Sequence, residues 1–202
     1  MQFLLDITAM TFGQPLALFP ALGTVLLGGG ALTTGILTAA VAVGTFVSSL
    51  FSGRVVHYRW HGIGIARAVQ AYGAAIALFG AILLTGVFLP PASEQVPHML
   101  LIALACLALA LSGAADNVSS IYRNTMMQAA VPDAMRGRLQ GIFIIVVAGG
   151  PRVGALYVGA LATVTSLWFP PLLGGFLVIG IAATLARLSP RFRAYDALSP
   201  EA

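Results

Sequence analysis

Six apolar runs, each about twenty residues long, constrain this chain more than any other feature of its sequence. A helix rises about 1.5 Å per residue, so a run of that length crosses a hydrocarbon core about 30 Å thick. The runs cover residues 3–27, 33–51, 66–89, 99–120, 139–163 and 168–188. The fourth helix is expected to extend to 131, because 117–130 contains no helix breaker. Turns are marked by Gly28-Gly29-Gly30, by Pro90-Pro91 with Pro97, and by Val131-Pro132-Asp133. The expectation is an all-α membrane protein, with one six-helix bundle over 1–188 and a tail over 189–202.

Composition agrees and removes other classes. The 202 residues are 59% hydrophobic, only 8% charged and free of lysine, with a mean hydropathy of +0.96, which no ordinary soluble domain shows. The ten basic residues are all arginine and form no run or face, which argues against nucleic-acid binding. Cys106 is the single cysteine and is expected only to pack. A phosphate-binding loop needs its lysine, a metalloprotease needs clustered histidines and acids, and an intramembrane serine protease needs a base beside its hydroxyl. None of these is present: His57, His61 and His98 fall in loops or at interfaces, so no enzyme, metal site or cofactor is expected.

The connections are unevenly charged. Arg54, Arg59 and Arg67 flank the second, Arg136 and Arg138 the fourth, and Arg187, Arg191 and Arg193 the tail, whereas the first and fifth carry no charge and the third only Glu94 and His98. By the positive-inside rule the second and fourth loops and both chain ends are cytoplasmic. Tyr58, Trp60 and Trp168 fall near span boundaries, as interfacial aromatics do.

Against this background three charges stand inside helices: Asp116, Arg123 and Arg152. A charge at mid-membrane costs about 2.5–3.5 kcal/mol on insertion scales, so such residues face a bundle interior and mark a pathway. Asp116 and Arg152 are about equally far from the turn between their antiparallel helices. They are expected either to form one charge pair or to be satisfied separately, Asp116 by Ser119 or Ser120 and Arg152 by backbone carbonyls. Asp116, Ser120 and Arg123 are spaced four and three, a polar stripe that Asn124 and Gln128 prolong. Arg123 is read either within that stripe or as an interfacial arginine, and Asp6 either at the interface or buried with Arg123 as its partner. Helix breaks are expected at Pro15 and Pro20 and at Gly149-Gly150-Pro151, where Gly150 and Gly154 would also form a close-packing seam.

The run from Gly113 through Asp116 and Arg123, followed by Gln128, Asp133, Arg136-Gly137-Arg138 and Gly149-Gly150-Pro151-Arg152, resembles the major facilitator superfamily. The likeness is to its enterobactin-exporter-like and drug-efflux branch. The opening, with Asp6, Phe12-Gly13, Pro15 and Phe19-Pro20, is similar to the seventh helix of those permeases. The resemblance implies the carboxyl-terminal six-helix half of a twelve-helix transporter, built as three-plus-three inverted repeats, with Gly53 and Arg54 in a cytoplasmic loop motif. Two positions depart from the branch: Leu16 stands where arginine is common, and Ala155 where an acid is.

The function expected is small-molecule efflux, siderophore-like or hydrophobic, by proton-coupled alternating access in the plasma (inner) membrane. Asp116, Arg123, Arg152 and Asp6 would form the charge network, with Asp116 the proton carrier because only an acid can titrate there. The expected partners are lipid, substrate, protons, and an amino-terminal half or a second copy. A truncated or accessory non-transporting membrane fragment, and after it an oligomeric channel, are the other readings.

Overall fold

The computed structural model describes residues 2–53, 61–93, 96–130 and 133–188, with side chains left out at 2–3, 126–130, 133–136, 138–140, 142–143 and 146. Arg54, His57, Tyr58, Arg59, Trp60, Glu94, Pro132, Arg191 and Arg193 lie outside the described residues, as do the side chains of Gln128, Asp133, Arg136 and Arg138.

Six helical segments are long and apolar enough to cross a membrane: Leu4–Leu26, Gly30–Leu50, His61–Val87, Met99–Thr125, Val147–Val164 and Phe169–Leu188. The first span begins with α1 (Gln2–Phe12) and continues irregularly; the others are α2 (Gly30–Leu50), α3 (His61–Val87), α4 (Met99–Ala130), α5 (Asp133–Val164) and α6 (Phe169–Leu188). No strand occurs among the described residues.

The first span is broken where proline withholds donors. After α1 the chain leaves the helix at Gly13, then makes a 3₁₀ turn at Leu16–Leu18, one helical turn at Phe19–Ala21, and a π turn at Leu22–Leu26. Irregular backbone in a membrane must find partners inside the protein. Here the Tyr72 hydroxyl on α3 donates to the Gly13 carbonyl at 2.6 Å, and Thr34 on α2 reaches the Phe19 carbonyl at 3.3 Å. The span ends at Gly28, Gly29 and Gly30, all at positive φ, which side chains disfavour. This hairpin docks on the third loop through Gly29 N–H to Ser93 O and His98 N–H to Leu27 O.

The break expected at Gly149-Gly150-Pro151 is not present: α5 is helical from Asp133 to Val164 with Pro151 inside it. One proline deletes a single donor, and the turns on either side carry the helix across. The seam expected at Gly150 and Gly154 is present. Gly150 lies against the Met10 side chain and Gly154 against the backbone of Met10 and Thr11, whereas Gly149 and Gly159 face open space.

The principal packing follows a two-fold pattern. The first span packs on α5 as α4 packs on α2; α3 packs on α4 as α6 packs on the first span; and α3 and α6 pack on each other. Exchanging the first three spans with the last three maps those pairings onto themselves, as a three-plus-three repeat would, whereas the packing of the first span on α2 has no counterpart between α4 and α5 among the described residues. The inter-helix seams are built on small residues, among them Gly44 against Ala110, Gly113 against Val41 and Gly174 against Phe12. Two apolar clusters fill the interior, one around Leu18, Phe19, Leu37, Phe79 and Leu109, with Cys106 packed on it, and one around Leu5, Ile65, Val69, Tyr72 and Val178. His61, at the start of α3, is buried, its ring tilted against that of Tyr122 with centroids 5.3 Å apart. Trp168 lies in the turn just before α6, edge-to-face with Phe169 and partly packed on the first cluster.

Candidate functional site

α1 and α4 bring together two buried charges of opposite sign. Asp6 is the fifth residue of α1 and Arg123 lies toward the end of α4, and both side chains are buried. The Arg123 guanidinium donates to Asp6 Oδ1 through one nitrogen, while its other terminal nitrogen lies 3.6 Å from Asp116 Oδ1. The second separation is a Coulombic contact without a hydrogen bond. Asp116 and Arg123 are seven residues apart, two turns along one face of α4, which lets a single guanidinium face both carboxylates.

The two acids differ in access. Asp6 is shut in, whereas 50% of the Asp116 side chain is open. Asp116 borders a cavity of about 50 Å³ between the broken first span, α2, α3 and α4, together with Gln14, Pro15, Thr45, Tyr72 and Ser112. Most hydroxyls there are already committed: Tyr72 to Gly13, Ser112 to Leu109 O at 2.7 Å, and Thr45 to Val41 O and Gly113 O. Asp116 is therefore the strongest acceptor in the cavity, seated beside the helix break.

Arg152 does not join this network. Among the described residues it makes no ion pair, and its side chain is exposed on the side of α5 away from α1, as are Val153 and Leu156. Asp116 pairs across α4 with Arg123 instead, because α5 packs on α1 and not on α4. Within the polar stripe, Asn124 reaches Ser120 at 3.4 Å. Ser119 is buried with no hydrogen-bond partner for its hydroxyl and does not satisfy Asp116. Gly53 is exposed just beyond α2.

Three contributors were not legible from the sequence: Tyr72, Gln14 and Asn117. Asn117 donates to Ser48 Oγ at 2.9 Å and Ser49 Oγ at 3.0 Å, tying α4 to α2. Tyr72→Phe removes the hydroxyl that holds the Gly13 carbonyl. It is expected to lower stability by about 1 kcal/mol, read as a reduced unfolding temperature in detergent with the helical signal unchanged.

No family model matches the chain, and no solved structure matches it. Among curated proteins, the enterobactin exporter EntS of Shigella flexneri is 30% identical over 159 residues, which cover 78% of this chain and 35% of the exporter. The enterobactin exporter EntS of Escherichia coli O157:H7 (strain EC4115 / EHEC) matches at 30% over 159 residues, 78% of this chain and 34% of the exporter. The matched stretch is thus about a third of the length of these relatives. With six membrane-length helices and homology to exporters over most of its length, the chain is a homologue of part of an enterobactin exporter, a transporter of major facilitator type.

Proposed function

We propose that this chain is a six-helix module of an inner-membrane secondary exporter that moves a siderophore-like or hydrophobic small molecule by proton-coupled alternating access. The observation that carries the reading is the group formed by Asp6, Arg123 and Asp116 beside the broken first span. Two carboxylates against one guanidinium leave one negative charge when both acids are ionised. In a low-dielectric interior that imbalance is costly, and uptake of one proton removes it. Asp116 is the group that can accept it, being open to a cavity while Asp6 is enclosed. Protonation of Asp116 would weaken its hold on Arg123 and free α4 to shift against the first span, whose break at Gly13 to Pro15 supplies the bend.

The second module is proposed on the open face. Large apolar side chains on α2, among them Leu32, Val43 and Phe46, and on α5, among them Ile145, Val153 and Leu156, are exposed, and Arg152 lies among those of α5. A mid-membrane arginine is not stable against lipid tails, so that part of α5 faces protein or a water-filled cavity. An amino-terminal half fits there, with a cavity between the halves and both chain ends on the cytoplasmic side. Arginines near the ends of α3 and α6 support that orientation through the positive-inside rule.

The test is efflux of enterobactin from cells lacking their own exporter, with the chain expressed alone or together with a six-helix amino-terminal half. Gradient-dependent efflux is expected with both parts. Asp116→Asn is expected to lower its initial rate by at least about tenfold and to abolish its dependence on the proton gradient. Correct membrane insertion with no flux in either arrangement would instead identify an accessory module, and flux indifferent to the gradient would identify a channel.

A further inference from the structure

The seam between α3 and α6 is tight at its centre and open at one end. Gly73 meets Gly175 and Ile179, Gly175 meets Ala77, and Gly80 meets Leu172, so the helices run antiparallel in near backbone contact. Towards the start of α3 and the end of α6 the seam widens into a groove of about 270 Å³. Its polar lining is Arg67, Gln70 and Arg187, and its walls include Ala66, Ala183 and Ala186. Alanine is too small to fill the space between two helices, which is why a groove remains. Both arginine side chains are exposed, and among the described residues neither has a carboxylate partner. Among the described residues these are two guanidinium forks without an acid, on facing helices, lining one groove together with an amide.

A planar fork suits a phosphate, because it donates two parallel hydrogen bonds. Basic pockets between membrane helices at this level are suited to lipid head groups. A second feature favours a lipid over a free anion. Phe176, Gly180 and Arg187 are spaced four and seven residues apart, in line along one stripe of α6. Phe176 and Gly180 border an almost wholly apolar groove of about 320 Å³ that also includes Leu177 and Ile181. An acyl chain descending from a head group at Arg187 would lie along that groove, and a soluble anion has no use for it. We propose that the α3–α6 groove is a binding site for an anionic phospholipid, its phosphate held by Arg67 and Arg187 and one acyl chain laid along α6.

The test uses the chain purified in zwitterionic detergent, its unfolding temperature followed while phosphatidylglycerol, phosphatidylcholine of the same chains, or inorganic phosphate is added. Phosphatidylglycerol is expected to raise it saturably and the other two to leave it unmoved. The pair R67Q/R187Q is expected to weaken the apparent affinity for phosphatidylglycerol about thirtyfold, from the loss of two arginines at a charged surface. Should that pair fail to fold, Arg187→Gln alone, at the exposed end of α6, is expected to weaken binding about fivefold. An equal response to phosphatidylcholine, an equal response to phosphate, or variants that bind as the parent does would each overturn the assignment.

Discussion

Arg123→Leu is expected to destabilise the protein by about 3–5 kcal/mol, the range for removing one partner of a buried ion pair. The reason is what remains: Asp6, fully enclosed against α4, would keep its charge with no guanidinium to answer it. The loss should be read as a lower unfolding temperature in detergent and a smaller folded yield from membranes. Replacing both partners, Asp6→Leu with Arg123→Leu, is expected to recover most of the stability, because the enclosed site then holds no orphan charge and Asp116, which also loses its guanidinium, is half open to the cavity. Transport should not return with it, since the group beside Asp116 would no longer exist. A single Arg123→Leu variant within about 1 kcal/mol of the parent would show that the pair is not buried as described.

Gly44→Leu is the second large effect expected, at about 3 kcal/mol. A Cβ at Gly44 would run into the backbone of Ala110, and one at Gly113 into the carbonyl of Val41, so α2 and α4 touch backbone to backbone over about one turn. Asn117 continues the same seam through Ser48 and Ser49. Flexible neighbours could move aside for a side chain, but main chain cannot, so the helices must separate and lose these contacts together. Gly35→Ala, on the same helix but facing open space, is expected to change stability by no more than about 0.5 kcal/mol. Unfolding curves of the two variants side by side check both values.

The spans were legible because length and hydropathy alone decide whether a helix crosses a membrane. Pairing of Asp6 with Arg123 could be anticipated by counting residues from one membrane face, since a charge pair needs equal depth. Equal depth misled for Asp116 and Arg152, because it says nothing about which way a side chain points around its helix. The correction lay in the sequence. Gly150 and Gly154 form the packing edge of α5, and a residue two positions on is turned by about 200° from Gly150, which puts Arg152 on the far side. The role of Tyr72 had no such signal. Its hydroxyl meets Gly13 across 59 residues of sequence, and only the fold brings them together.

The exchange symmetry of the six spans carries a consequence for how the protein is oriented when it is made. If the last three helices repeat the first three upside down, the two ends of the bundle present nearly the same backbone shape, and shape cannot tell an insertion machinery which end is which. Side chains must break the tie. One end carries Arg67 and Arg187 around an open groove, and the other carries the uncharged glycine hairpin clasped to the loop of prolines. By the positive-inside rule the arginines at one end would then set the orientation of the module in the membrane.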